Sequence, residues 1–343
     1  MSDSQPLSEV VEMLQADIRG EHAAIIQYLQ HVYRMESAEA LGDIPCEIEE
    51  IARDEMRHYR WLSEVVASLG GGPTIDRDPI FVDGSPPPDL VRLDIAAENR
   101  AIDQYRDHIA RIEDPKIKGL LERILLDELF HKGLFRGFIV EMGEDPDKPA
   151  PSAEEGPFGA GEREMAAEPP VVEVTAEQQT VQMLNQAIQR EYATVLVYLY
   201  QSFVTDNLAV SKELQVDISQ WHMKHMGWLS VRIAEMGGNP SAEHDPVEKI
   251  RDLGQALQTD ISREQETQAR LKEYWQAIDD FETREILERI LGHEAYQETE
   301  LREMLARVTQ PKPAGPPSPV GRLTVGSLIR HDSQAQPKPP SAS

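Results

Sequence analysis

Residues 117–142 read Ile-Lys-Gly-Leu-Leu-Glu-Arg-Ile-Leu-Leu-Asp-Glu-Leu-Phe-His-Lys-Gly-Leu-Phe-Arg-Gly-Phe-Ile-Val-Glu-Met. Taken at alternating steps of four and three they give Ile117, Leu121, Ile124, Glu128, His131, Phe135, Phe138 and Met142. Those steps keep residues on one face of an α-helix, so this is an apolar stripe with two polar residues set into its middle. Pro115 suits a first helical turn and Gly143 a stop, which predicts a helix over 115–142.

Three further stripes precede it. The first runs Leu14, Ile18, Glu21, Ile25, Tyr28, Val32, Met35, and the second Ile44, Ile48, Ile51, Glu55, His58, Leu62, Val65, Leu69. The third is Val91, Ile95, Glu98, Ile102, Tyr105, Ile109, Ile112. They predict helices near 8–37, 43–70 and 88–113, punctuated by prolines and glycines. Four amphipathic helices with one longer connection, between the second and third, make a four-helix bundle. Each stripe is broken near its middle by a glutamate, and in the second and fourth a histidine follows three residues later.

Burying an unpaired carboxylate costs several kcal/mol, and four converging in one core repel one another. A pair of divalent cations removes the objection. Four carboxylates and two neutral imidazoles supply six ligand side chains and four negative charges, which balance two M(II) ions. Glu and His at i, i+3 share a helix face, so one helix presents both to one metal pair.

The pattern recurs further on. Trp61-Leu-Ser63 returns as Trp228-Leu-Ser230, Leu69-Gly-Gly-Gly-Pro73 as Met236-Gly-Gly-Asn-Pro240, and Leu121-Glu-Arg-Ile-Leu125 as Leu287-Glu-Arg-Ile-Leu291. The chain is thus an internal duplication of a unit of about 140 residues. The second unit predicts helices near 176–206, 209–236, 246–278 and 281–308. Between the copies, residues 144–174 hold six prolines and nine acidic residues against two basic ones, the composition of an extended, self-repelling linker. Residues 311–343 hold eight prolines and read as a flexible tail. The expected architecture is all-α: a bundle over 1–143, an acidic linker over 144–174, a second bundle over 175–309 and a disordered tail over 310–343.

The 343 residues carry a formal net charge of -27. That argues against nucleic acid and anionic membrane surfaces as partners, since both need Lys and Arg. Residues 311–343 contribute Lys312, Arg322, Arg330 and Lys338 against Asp332, a net of +3, which leaves -30 on the rest. The acidic body suits attraction of cations. One cysteine, Cys46, excludes an internal disulfide and any Cys-x-x-Cys metal knuckle. The start shows no signal-peptide pattern, and the most apolar stretch, 192–204, is too short and too polar to span a bilayer. A cytoplasmic protein is expected.

One Glu from each of two helices plus Glu-x-x-His from each of the other two is the ligand pattern of ferritin-like di-iron proteins. Over residues 8–142 the first unit resembles bacterioferritin, and more broadly the ferritin-like and rubrerythrin superfamily. The resemblance implies a di-iron centre with Glu21 and Glu98 as terminal ligands, Glu55 and Glu128 as bridges, and His58 and His131 completing one iron each. It implies a ferroxidase that oxidises Fe(II) with O2 or H2O2, with Tyr28 lining the site. Met56 falls where bacterioferritin has its haem-ligating methionine, but Asp-Glu-Met also occurs in relatives without haem, and haem is not expected. Rubrerythrin carries an extra glutamate on helix three, where Ala101 and Ile102 stand here, and a cysteine-ligated iron that Cys46 alone cannot build. An acidic linker, rather than a fifth helix, follows Met142, which argues against a closed ferritin cage. A rubrerythrin-like peroxidase and a non-catalytic metal-binding protein remain as alternatives.

The second unit departs from the pattern. Glu191, Glu264 and Glu294 hold the places of Glu21, Glu98 and Glu128, but helix two reads His222-x-x-His225 and Gln297 replaces His131. Glu191, His222, His225, Glu264 and Glu294 make a second candidate site, for one metal or none. This unit is expected to pack on the first, imitating a ferritin-like homodimer within one chain; a further homo-oligomer is left open. In the tail, Leu323, Thr324, Val325, Gly326, Ser327, Leu328, Ile329 and Arg330 form an apolar island. Within 321–330 this segment closely resembles the cargo-loading peptides of encapsulin systems. It implies that an encapsulin shell is the partner and that the protein resides inside that nanocompartment.

Overall fold

A computed structural model of the chain describes residues 6–35, 41–82, 86–151 and 175–310. Most of the expected linker and tail, including segment 321–330, lies outside these residues. The described residues form helices and no strand. The first bundle consists of α1 (Leu7–Met35), α2 (Ile44–Ser68), α3 (Pro87–Arg111) and α4 (Pro115–Glu141). The second consists of α5 (Ala176–Val204), α6 (Leu208–Lys212) running through a π-helical turn (Glu213–Ile218) into α7 (Ser219–Glu235), then α8 (Leu253–Ala277) and α9 (Phe281–Thr309).

Local chemistry sets the helix ends. Asp114 Oδ1 accepts from the backbone N–H groups of Lys116 (2.8 Å) and Ile117 (3.1 Å), with Pro115 in the first turn. Thr175 and Gln178 form a reciprocal capping box at the start of α5. Gly70 (φ +83°) and its duplicate Gly237 (φ +70°) end the second helix of each bundle in the left-handed conformation that glycine adopts without strain.

Two expectations in the second unit need correction. Its third helix begins at Leu253, not near 246. Residues before it are held in a non-helical path along α5: Asn185 bonds the backbone at Asn239 and Ser241, and Asp245 N–H donates to Gln189 O (3.0 Å). Asp252 then caps α8 through Gln255 N–H (2.8 Å). Its second helix is also not one continuous α-helix. At the π turn Leu214 O accepts from both the Ser219 backbone N–H and the Ser219 hydroxyl (2.5 Å).

Each bundle has an apolar cluster on either side of a polar middle layer. Leu14, Ile18, Leu62 and Leu121 lie on one side in the first bundle, and Val32, Ile48, Val91 and Phe135 on the other. Leu184, Leu229 and Leu287 face Val210, Leu257 and Leu301 in the same way in the second. Fully burying such a side chain contributes about 1.5–3 kcal/mol, so these clusters supply the stability against which the polar layers are held.

The bundles pack against each other through α1 and α2 on one side and α5 on the other. Tyr192, Leu196, Tyr200 and Phe203 of α5 belong to the same apolar cluster as Ile25, Ile26 and Tyr59. His22 and Tyr192, which occupy equivalent positions in the two copies, are hydrogen-bonded to each other. Contact between equivalent residues is the mark of a two-fold interface. Burial pushes His22 down to about 4, so its ring is neutral. Its Nδ1–H donates to Asp76 O (3.2 Å), which leaves Nε2 to accept from the tyrosine hydroxyl. Arg77 closes the edge, donating to Ala242 O (3.0 Å) and Glu243 Oε1 (2.9 Å).

Candidate metal centre

The stripes of α1–α4 bring Glu21, Glu55, His58, Glu98, Glu128 and His131 to one depth, each 4% exposed or less. They form two overlapping groups. Glu21, Glu55, His58 and Glu128 make one, and Glu55, Glu98, Glu128 and His131 the other; within each, the ligand atoms lie within 4.8 Å of one another. Glu55 and Glu128 are common to both. Glu55 turns Oε2 to His58 Nδ1 (2.8 Å) and Oε1 to His131 Nδ1 (2.9 Å). Glu128 turns Oε1 to His58 Nδ1 (3.1 Å) and Oε2 toward His131 Nδ1 (3.8 Å). Each of these carboxylates therefore divides its two oxygens between two positions. Glu21 serves only the first (3.6 Å to His58 Nδ1) and Glu98 only the second (3.9 Å to His131 Nδ1).

The electrostatics are those of a site built for cations. Burial, then repulsion from Glu128 and Glu55, raises Glu21 and Glu98 well above the usual carboxylate range. Burial opposes charge on His58 and His131 too, but the surrounding carboxylates outweigh it and raise both, His131 to about 10. Burial also pushes Glu55 up, yet its hydrogen bonds to His131 and His58 hold it well down. Each raised group carries a proton that a divalent ion displaces on binding. Glu98 Oε2 is buried without a hydrogen-bond partner among the described residues. Such an atom is costly unless something else, such as a cation, binds it. The donor set of carboxylate oxygens and imidazole nitrogens suits Fe(II) and its neighbours.

A surrounding set of residues orients this layer. Tyr28 donates to Glu98 Oε1 (2.6 Å), and Tyr105 donates to Glu21. Each tyrosine stands seven residues after one terminal glutamate and holds the other, so α1 and α3 are cross-linked reciprocally. On the outer side, Asp127 Oδ2 faces His58 Nε2 (3.2 Å) and Asp54 Oδ2 faces His131 Nε2 (3.5 Å). A carboxylate on the far ring nitrogen fixes the tautomer and leaves Nδ1 to ligate. Tyr28 was singled out in the sequence by the family resemblance, whereas the polar roles of Tyr105, Asp54 and Asp127 were not. The available signals were the Glu-x6-Tyr repeat in two stripes and the Asp-Glu-x-x-His repeat in the other two. Met56, beside Glu55, is half-buried on the apolar cluster shared by the bundles.

In the second bundle Glu191, His222, His225 and Glu294 meet, all buried, with ligand atoms within 4.8 Å. Glu264 stands outside this group. It is held by Tyr198, the duplicate of Tyr28, with its Oε1 3.6 Å from His222 Nε2. The duplicate of Tyr105 is Leu271, so Glu191 has no tyrosine and its Oε2 meets His222 Nδ1 (2.7 Å) and His225 Nδ1 (3.2 Å) instead. Burial pushes Glu191 up, but those two rings bring it down to about 2. Glu264 and Glu294 are raised well above the usual range by burial and by a neighbouring carboxylate.

The ferritin-like domain profile matches residues 11–142 and again 181–310, and the chain therefore belongs to the ferritin-like family. Bacterioferritin of Desulfovibrio desulfuricans is 29% identical over 127 residues, 36% of this chain and 70% of that protein. Among solved structures, Rhodobacter capsulatus bacterioferritin, described with a metal-free dinuclear site and haem iron, is 26% identical at a TM-score of 0.36, covering 39% of this chain and 84% of its own. The Desulfovibrio desulfuricans bacterioferritin structure, with its diiron site in different catalytic states, is 24% identical at a TM-score of 0.37, covering 43% and 94%. Among the described residues no helix is long and apolar enough to cross a membrane.

Proposed function

We propose that the first bundle is a ferroxidase that oxidises Fe(II) to Fe(III) for iron storage or detoxification. The observation that carries this is the division of oxygens by Glu55 and Glu128 between His58 and His131, which provides two adjacent cation positions sharing both carboxylates. Two Fe(II) ions held there supply one electron each to dioxygen or peroxide. Glu21 and Glu98 complete one position each, Tyr28 and Tyr105 hold those carboxylates in place, and the apolar clusters on both sides keep bulk water from the layer. The body's charge of -30 draws cations toward it.

Fe(II) added in excess under oxygen tests this reading. The full chain is expected to oxidise many Fe(II) per chain, at a rate at least about tenfold above that of the Glu55→Ala/His58→Ala double variant. Equal rates would overturn the reading. Turnover that stops at the two site irons, yet continues with peroxide and an added electron donor, would point to a rubrerythrin-like peroxidase.

The place of action is proposed from the sequence of the tail. Segment 321–330 resembles encapsulin cargo-loading peptides, and it lies in a proline-rich tail, 311–343, whose net charge of +3 contrasts with the acidic body. We propose that it docks the protein inside an encapsulin shell, where oxidised iron accumulates. Co-expression with a shell protein checks this: removal of 321–330 should abolish co-purification, and unchanged co-purification would refute the docking role.

A further inference from the structure

We infer that the second bundle holds a single divalent cation of the zinc class, bound by Glu191, His222, His225 and Glu294, in place of a dinuclear pair. This is independent of the ferroxidase reading of the first bundle. The decisive difference is how the carboxylates are aimed. In the first bundle each shared carboxylate sends different oxygens to the two histidines. In the second, Glu191 presents the same oxygen, Oε2, to His222 Nδ1 (2.7 Å) and His225 Nδ1 (3.2 Å). Glu294 likewise presents Oε1 to both, at 3.6 Å and 3.0 Å. The four donor atoms therefore converge on one point.

Their spacing fits one small ion. Bonds of about 2.0–2.2 Å from a tetrahedral Zn(II) place neighbouring ligand atoms ~3.3 Å apart. The four donor–donor distances above, 2.7–3.6 Å, bracket that value. Two carboxylates balance the charge of one M(II), and two neutral imidazoles complete an N2O2 set that borderline cations favour. Buried atoms also await a partner: Glu191 Oε1 and Glu294 Oε2 make no hydrogen bond among the described residues, although both side chains are 1% exposed or less.

A second ion has no comparable seat. Its imidazole would have to come from position 297, where Gln297 offers a neutral amide, a weak ligand. Its remaining carboxylate, Glu264, is held by Tyr198 and stands outside the cluster. The residue facing the outer nitrogen of His225 has changed as well: His293 Nδ1 lies 3.1 Å from His225 Nε2, where the first bundle uses Asp127. One cation so held cannot share two electrons with a partner ion. Its effect is to tie α5, α7 and α9 together at mid-depth.

Cobalt(II), a spectroscopic stand-in for zinc, tests the site in the full-length chain. In a Glu55→Ala/Glu128→Ala background, which removes both shared ligands of the first bundle, one Co(II) per chain is expected, with the intense visible absorption of a four-coordinate ion. Adding His222→Ala and His225→Ala should take that to none. A background that binds no Co(II), one that binds two, or one whose single Co(II) survives the histidine substitutions would overturn the proposal. Anomalous diffraction from zinc-loaded wild-type crystals gives an answer that does not depend on the variants folding. One peak among the four named residues is expected, and either no peak or a pair there would refute the assignment.

Discussion

Glu55 and Glu128 show how one residue's placement decides a chemistry. Each is a charge on an apolar stripe, and each has two oxygens with two different duties. The residues behind them matter nearly as much. Asp127→Asn keeps the shape of the contact to His58 but removes the charge that fixes the ring. It is expected to weaken metal binding in the first bundle by about 10–100-fold, measured by competition with a chelator. Asp260 offers a separate test in the second bundle. Its duplicate Asp94 is met by His31 (2.8 Å) and Gln27 (2.9 Å), whereas Gln201 and Val197 stand in those places around Asp260. Burial pushes Asp260 up to about 7. The unfolded chain releases this proton near pH 4 and the folded chain only near 7, so this group's effect on stability worsens as pH rises between those values. Asp260→Asn should therefore raise stability at pH 8, by on the order of 4 kcal/mol at most. The gain should disappear below pH 4, as read by denaturant titration with a chelator present. The six buried Glu and His residues that meet in the first bundle were legible in the sequence because charge on a buried stripe conflicts with the stripe itself. Asp54 and Asp127 were not, because one step off the stripe, at 33% and 42% exposure, an aspartate looks like any solvated residue.

At the scale of the helix, caps and tertiary ties divide the work. Asp114 satisfies two N–H groups at the start of α4, the helix that carries Glu128 and His131. Asp114→Ala should cost ~1 kcal/mol and lower the melting temperature by roughly 2–3 °C. No change in a calorimetric scan would show that the cap is dispensable. Stripes and stops placed the helices to within a few residues wherever the chain followed its own periodicity. They failed at 246–252, where Val247 and Ile250 imitate a helical face while Asn185 and Gln189 draw the backbone just upstream, at Asn239, Ser241 and Asp245, along α5. Asp252, a good N-cap just before 253, was the readable sign of the true start. The π turn had no such sign, since the ligand spacing after it still matches the first bundle.

The whole molecule behaves as two copies facing across a shared apolar cluster. Because Tyr192, Leu196 and Phe203 pack with Ile25, Ile26 and Tyr59, neither bundle can unfold without exposing the other's surface. A single calorimetric transition is expected for the full chain; two separated transitions would contradict this coupling. Duplication has let the copies diverge behind that interface. One brings together two overlapping groups of buried carboxylates and imidazoles, and the other a single group. What distinguishes the first bundle is the proposed pair of cation positions. Anomalous diffraction at the iron edge, on crystals of the full chain loaded anaerobically with Fe(II), tests it most directly. Two peaks about 3.5–4 Å apart are expected, both contacted by Glu55 and Glu128, with His58 on one and His131 on the other. A single peak, or two peaks that do not share those carboxylates, would contradict it.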